Sequence, residues 1–227
     1  MYTDGQYGER NPSWHEEDAE QKAWVIAEML GSSSVNPRTI VDVGCGTGGV
    51  LLHLKRTLDA QGLTEVCYDG WDVASEPIRR ARDRQGPSVR FHEGDFLASE
   101  GHADVLLCLD TVEHVADDVG FLRGLSSRAD TFVFRLPLDL SALDVLRPHR
   151  MLAARKNWGH RHPYSRVLAL SVLEEAGYEV GAECFHRVGG PLGGLDGIRR
   201  AAFKVAPHAT VRLMGGYSLV VLATPRR

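Results

Sequence analysis

Ile40-Val41-Asp42-Val43-Gly44-Cys45-Gly46-Thr47-Gly48-Gly49-Val50-Leu51-Leu52 holds three kinds of sequence in one short run. Apolar residues around a single acid, from Ile40 to Val43, read as a short buried strand. A turn crowded with glycine follows, and a leucine-rich helical pattern begins behind it. Gly44, Gly46 and Gly48 allow positive φ angles and let a ligand come close to main-chain amides. The helix start adds unpaired N–H groups and a partial positive charge. Strand, glycine turn and helix start together form a cradle of nucleotide-binding shape.

Two ligand classes use such a cradle. A dinucleotide fold places pyrophosphate there and calls for G-x-G-x-x-G. Here the pattern is G-x-G-x-G, and Asp42 stands two residues before the first glycine. An acid at that point suits a ligand with a cationic amine better than one with two phosphates. The run resembles the first motif of the class I S-adenosylmethionine-dependent methyltransferases. Later segments extend the resemblance in the same order. Gly70-Trp71-Asp72-Val73 ends a second strand in an acid. Phe91-His92-Glu93-Gly94-Asp95-Phe96-Leu97 carries an acid followed by an apolar residue. Asp110-Thr111-Val112-Glu113-His114-Val115 resembles the D-x-x-E-H-V pattern of the quinone-biosynthesis type. The resemblance covers residues 39–135 by motif and the remainder by pattern.

The implied cofactor is S-adenosyl-L-methionine. Its methionine end and ribose would lie against Gly44, Cys45, Gly46 and Gly48, with Asp42 facing the amine. A carboxylate can accept from both ribose hydroxyls, so Asp72 at the strand end is the expected clamp, with Val73 beside it. Asp69 competes for that role but lies inside the apolar stretch. Asp72 would suit NAD equally well. Asp95 discriminates, since its carboxylate would accept from the adenine amine while the Phe96 N–H meets a ring nitrogen. The carbonyls near Leu109 and Asp110 would meet the methionine amine.

Bulk properties narrow the partners. The chain has 227 residues, 43% hydrophobic and 25% charged, which suits one α/β domain with a sizeable core. A formal net charge of −4 argues against nucleic acid as a primary partner. Arg79, Arg80, Arg82 and Arg84 form the densest basic cluster and read as a solvated helix face. Cys45, Cys67, Cys108 and Cys184 form no C-x-x-C pair, so a structural zinc site is not expected. Their usage, largely in apolar runs where a small buried thiol packs, fits a reducing cytosol. No apolar run approaches membrane-spanning length, and Met1 to Asn11 carries no signal-peptide core. The expected protein is cytoplasmic, a monomer or homodimer, with a small-molecule acceptor, no nucleic acid and no membrane.

Apolar runs and helical patterns alternate along the chain. Strands are expected at 39–43, 65–72, 89–93, 105–110, 131–136, 178–186 and 217–223. Helices are expected at 13–30, 48–61, 75–85, 117–128, 165–176 and near 195–205. The first would be capped by Ser13, with Glu16 completing a capping box, and stopped by Gly31. This pattern predicts an α/β, Rossmann-like, doubly wound sheet. The two closing strands suggest an antiparallel partner at the sheet edge. The resemblance implies seven strands, mostly parallel, with the last antiparallel. A single domain over 1–227 would divide into an N-terminal helical lid (1–38), a cofactor-binding core (39–135) and substrate-side loops with closing strands (136–227).

Methyl transfer from a sulfonium depends chiefly on placing a nucleophile in line with the methyl. A hydroxyl nucleophile also needs a base near neutral pH. His114 is the leading candidate, since its ring titrates in that range. His15, His149, His160 and His162 are further candidates. Trp14 and His15 would face the site from the lid. Trp158-Gly159-His160-Arg161-His162-Pro163-Tyr164-Ser165 would supply His160, His162 and Tyr164 on the substrate side. His160 and His162 hint at metal, but no carboxylate stands near them in sequence, so no metal is expected. The reading is methyl transfer to a small-molecule acceptor, most naturally to oxygen. Transfer to nitrogen is the alternative. A nicotinamide-dependent oxidoreductase is disfavoured by G-x-G-x-G and Asp95, and a non-catalytic cofactor-binding protein by the intact acids.

Overall fold

The apolar runs of the sequence find places in one sheet. The structure, a computed structural model, describes residues 14, 16–187 and 196–226. Among these, β1 (Thr39–Val43), β2 (Cys67–Asp72), β3 (Val89–Glu93), β4 (Ala103–Leu109), β5 (Ala129–Pro137), β6 (Tyr178–Arg187) and β7 (Tyr217–Pro225) form a seven-stranded sheet in the order β3-β2-β1-β4-β5-β7-β6. The first five strands pair in parallel. β7 runs antiparallel to both neighbours, β5 and β6.

The helices are α1 (Ala19–Ser32), α2 (Gly49–Ala60), α3 (Ser75–Arg82), α4 (Asp118–Leu125), α5 (Ala142–Leu146), α6 (His149–Asn157), α7 (Arg166–Glu175), α8 (Asp196–Val205) and α9 (Pro207–Met214). No helix among the described residues is long and apolar enough to cross a membrane.

The alternation of side chains along each strand splits the core between the two sheet faces. Val41, Leu106, Cys108, Phe132 and Phe134 pack on one face with Leu122 of α4 and Leu173 of α7. Ile40, Val105, Leu107 and Val133 pack on the other with Ile26 of α1, Leu51, Leu54 and Leu58 of α2 and Ile78 of α3. Both faces are therefore covered, as a parallel sheet requires.

Chain order reverses at β1. Its two neighbours, β2 and β4, lead away in opposite directions, which opens a crevice at the carboxyl ends of the strands. The glycine turn after β1 sits at this switch point.

Several expectations are corrected. The antiparallel strand is not at the edge: β7 inserts between β5 and β6, and β6 is the edge strand. Burial explains this, since β7 is buried from Tyr217 to Ala223 and needs partners on both sides, whereas β6 is largely exposed or half-buried. The first helix does not stop at Gly31, which adopts helical geometry in the last turn, and it runs on to Ser32. Ser13, its expected cap, lies outside the described residues. β2 begins at Cys67 rather than Glu65, and Cys67 is exposed. Helices α5, α6 and α9 were not anticipated. α5 is closed by a capping box between Ser141 and Asp144, and α9 begins with proline in its first turn. The start expected at Leu195 lies outside the described residues.

Candidate active site

Three glycines shape the turn after β1, with φ of +83° at Gly44, +54° at Gly46 and +76° at Gly48. Residues with a side chain rarely adopt such backbone angles. Space is equally restrictive at two of them. A Cβ on Gly44 would lie 2.2 Å from Thr111 Oγ1, and one on Gly48 2.2 Å from Phe91 Cε1. The turn is held from β2. Gly44 N–H and Cys45 N–H donate to the Trp71 carbonyl at 2.8 and 3.1 Å. The Asp72 carboxylate accepts from Gly46 N–H at 2.9 Å and from Ala74 N–H at 2.8 Å. Asp72 thus ties the glycine turn to the start of α3 while its end of β2 borders the crevice.

Asp42 is buried at the end of β1, and its Oδ1 has no hydrogen-bond partner among the described residues. Burial, with the Asp72 charge nearby, pushes its pKa up to about 7. A buried acid with an open lone pair is a seat for a cation. Asp95 accepts from Leu97 N–H at 2.9 Å and caps a 3₁₀ turn, Phe96–Ala98. Asp69, the competing ribose clamp, is engaged elsewhere, 2.6 Å from His92 Nε2.

The end of β4 is more heavily charged. Asp110 has a positive φ of 52° and sits between Lys22 of α1, 3.0 Å away, and Arg135 of β5, to which it is also paired. Burial opposes its ionisation, but the Arg135 and Lys22 cations outweigh that and hold its carboxyl well below the usual range. A short 3₁₀ turn, Val112–His114, then turns Glu113 and His114 into the molecule. Glu113 is fully buried, with neither carboxylate oxygen hydrogen-bonded among the described residues. Burial, reinforced by Asp110, pushes its pKa well above the ordinary value. His114 Nε2 lies 3.8 Å from Glu113 Oε1, and the His114 and His160 rings meet edge to face at 5.0 Å. His160 Nδ1 is hydrogen-bonded to Asp139, which follows β5. The loop carrying His160 is pinned by the Glu113 carbonyl, which accepts from Arg161 N–H at 2.7 Å.

These groups line one cavity of about 440 Å³. Trp14, Asp42, Gly44, Cys45, Gly46, Asp72, Val73, Asp95, Phe96, Asp110, His114 and His160 all border it. Gly48, His162 and Tyr164 do not. Gly48 caps α2 behind the turn. His162 Nε2 lies 2.9 Å from the Val115 carbonyl, and the buried Tyr164 hydroxyl donates to Asp118 at 2.6 Å. His15 lies outside the described residues. Lys22, Arg135 and Asp139 also line the cavity and were not singled out from sequence, and Glu113 and Trp158, which stand in the quoted motifs, line it without having been given a role there. Two of them left a trace there. Lys22 falls on the apolar stripe of α1 with Ala19, Ala23 and Ile26, and Arg135 interrupts the apolar run of β5. A cation in either position implies a buried partner. The absence of a carboxylate beside His160 in sequence is also corrected in space, by Asp139 and Glu113.

The model of a family described as a methyltransferase domain matches residues 14–183. The chain belongs to that family. The cofactor of that family is S-adenosyl-L-methionine and its reaction class is methyl transfer. Ajmaline N-methyltransferase of Rauvolfia serpentina is 32% identical over 110 residues, 45% of this chain and 36% of that protein. The ubiquinone biosynthesis O-methyltransferase of Albidiferax ferrireducens is 32% identical over 96 residues, 39% of this chain and 35% of that protein. The match thus spans about a third of the length of each of these relatives. In fold, the methyltransferase domain resembles magnesium protoporphyrin IX methyltransferase from Synechocystis, solved with bound S-adenosylhomocysteine, with a TM-score of 0.62 at 16% identity, covering 92% of this chain and 83% of that one.

Proposed function

We propose that this methyltransferase acts on a hydroxyl oxygen of a small organic acceptor. The observation that carries the reading is the group of Glu113, His114, His160 and Asp139, which lines the same cavity as the glycine turn. A neutral amine can attack a methyl sulfonium unaided. A hydroxyl must first weaken its hold on a proton, and it is this chemistry that two imidazoles beside carboxylates serve.

The residues present fit the cofactor. Asp72 would accept from the ribose hydroxyls, Asp95 from the adenine amine, and the Phe96 N–H would meet the ring. Asp42, buried with an open oxygen, would face the cationic amine. Gly44 and Gly46, which have no side chains, let the ligand lie against the main chain. When bound, the cofactor would supply an electrophilic methyl group to the acceptor's lone pair. His114 takes the acceptor's proton or helps remove it. His160, oriented by Asp139, and Trp158 frame the acceptor. Trp14 would border it from the N-terminal side.

Transfer to nitrogen is the second reading, favoured by the likeness to ajmaline N-methyltransferase. A mass-shift screen of paired phenol, alcohol and amine acceptors separates the two. Products methylated only on amines would replace the oxygen reading.

A further inference from the structure

We propose that Glu113, His114 and His160 bind one divalent transition-metal ion at the acceptor end of the cavity. Each offers a ligand atom, and these atoms lie within 4.8 Å of one another. One carboxylate and two imidazoles form a set that suits Mn²⁺, Fe²⁺, Co²⁺ or Zn²⁺. Metal–ligand bonds of about 2.0–2.2 Å put two ligands at most about 4.4 Å apart. Three ligands around one ion subtend about 90–120°, which sets them about 3.0–3.6 Å apart, so a pair at the 4.8 Å limit closes by about 1–2 Å around an ion.

Glu113 supplies the independent sign. It is fully buried, and neither oxygen is hydrogen-bonded among the described residues. A carboxylate placed so costs stability unless something compensates it. Lys22 and Arg135, the cations nearby, are both engaged by Asp110 and donate to neither oxygen. A metal ion would give those open oxygens a partner. Asp139 adds the outer support that ligating histidines usually have. Its carboxylate holds His160 Nδ1, which leaves Nε2 as the ligating nitrogen. All three ligands border the cavity, so the remaining coordination positions face the acceptor.

The role of the ion rests on the hydroxyl reading above. The acceptor oxygen binds the ion, its O–H bond breaks, the proton passes to water, and the electron pair stays on oxygen. No oxidant or reductant takes part. With the ion bound, His114 positions it instead of taking the proton.

The test is a Co²⁺ titration of the untagged chain after treatment with chelator, followed by calorimetry and by visible d–d absorption. One Co²⁺ per chain is expected, with a dissociation constant on the order of micromolar. Glu113→Gln and His160→Ala should each weaken it by at least about tenfold, and Asp139→Asn by about 10- to 100-fold. His102→Ala, at an exposed histidine outside the cavity, should bind as the parent does. Circular dichroism checks that each variant folds, and the parent titration decides the matter even if one does not. No binding by the parent up to millimolar Co²⁺, or binding that survives both Glu113→Gln and His160→Ala in folded protein, overturns the proposal. Co²⁺ binding is read without acceptor or turnover, so its failure leaves the hydroxyl reading intact. An amine product, conversely, would leave the metal result intact.

Discussion

At one end of the cavity, Gly44, Gly46, Asp72 and Asp95 hang on the carboxyl ends of three neighbouring parallel strands, β1, β2 and β3. At the other end, Glu113 and His114 come from a 3₁₀ turn, Asp139 from the stretch after β5, and His160 from the loop before α7. The first end is made largely of main chain, fixed by Trp71 and Asp72 to the sheet. The second is made of side chains held by one another. A main-chain cradle can serve the constant part of a reaction, the cofactor. A cluster of side chains on a turn and loops can be changed one residue at a time, which suits the variable part, the acceptor.

If that division of labour holds, the two ends should fail differently. The largest effect is expected at the side-chain end. His114→Ala should lower turnover by a factor of about 10²–10⁴ while binding of S-adenosylhomocysteine stays near the parent value. Steady-state kinetics alongside calorimetry would reveal this split. Equal losses in both would place His114 in cofactor binding and erase the distinction.

Asp72→Ala should do the opposite. Loss of a charged acceptor costs about 1.5–3 kcal/mol, a weakening of cofactor affinity of about tenfold to a hundredfold. Part of that would come through the turn, because Asp72 also holds Gly46 N–H. Affinity equal to the parent would mean that the ribose clamp has been misassigned.

Gly44→Ala probes the cradle itself. Its φ of +83° and the 2.2 Å approach to Thr111 Oγ1 leave no room for a methyl group. Strain of about 1–3 kcal/mol should lower the thermal midpoint and weaken the cofactor. A midpoint unchanged from the parent would show the turn to be softer than its geometry implies.

A smaller effect is expected from pH. Asp42 titrates near pH 7 when folded, against 3.8 for the free acid. The folded protein therefore keeps a proton that the unfolded chain loses above about pH 4. Its contribution to stability is full below that point and falls as pH rises through about 7. A cationic amine against Asp42 favours the carboxylate, so binding should expel a proton. Cofactor affinity should accordingly rise by up to about tenfold between about pH 6 and pH 8. Calorimetry in two buffers of different ionisation enthalpy would detect the released proton. Asp42→Asn should flatten the profile, and a profile as steep as the parent's would assign the proton elsewhere.

The same contrast explains what could be read from the sequence. The end proposed for the cofactor is local. Asp42 and the glycines lie in one run, and Asp72 and Asp95 each end or follow a strand whose apolar pattern marks it. The end proposed for the acceptor is not local. Asp139 and His160 meet across 21 positions, and His160 reaches Glu113 only because the loop folds back onto the Glu113 carbonyl. No periodicity carries such a contact. His162 and Tyr164, close to His160 in sequence, turn instead toward Asp118 and the loop behind it. Helix α6 was missed because its basic, weakly patterned sequence shows no apolar face. Lys22 and Arg135 were legible in principle, as charges in apolar patterns, but their common partner, Asp110, emerged only with the fold.

The most direct test of the account is the fate of the methyl group. The protein would be incubated with S-adenosylmethionine carrying an isotope-labelled methyl and with a panel of small acceptors that bear both hydroxyl and amine groups. The product would then be read by nuclear magnetic resonance, which distinguishes a methyl on oxygen from one on nitrogen or carbon. The account predicts the label on oxygen, in a product that disappears with His114→Ala. Label on nitrogen or carbon, or an oxygen product undiminished by that substitution, would contradict it.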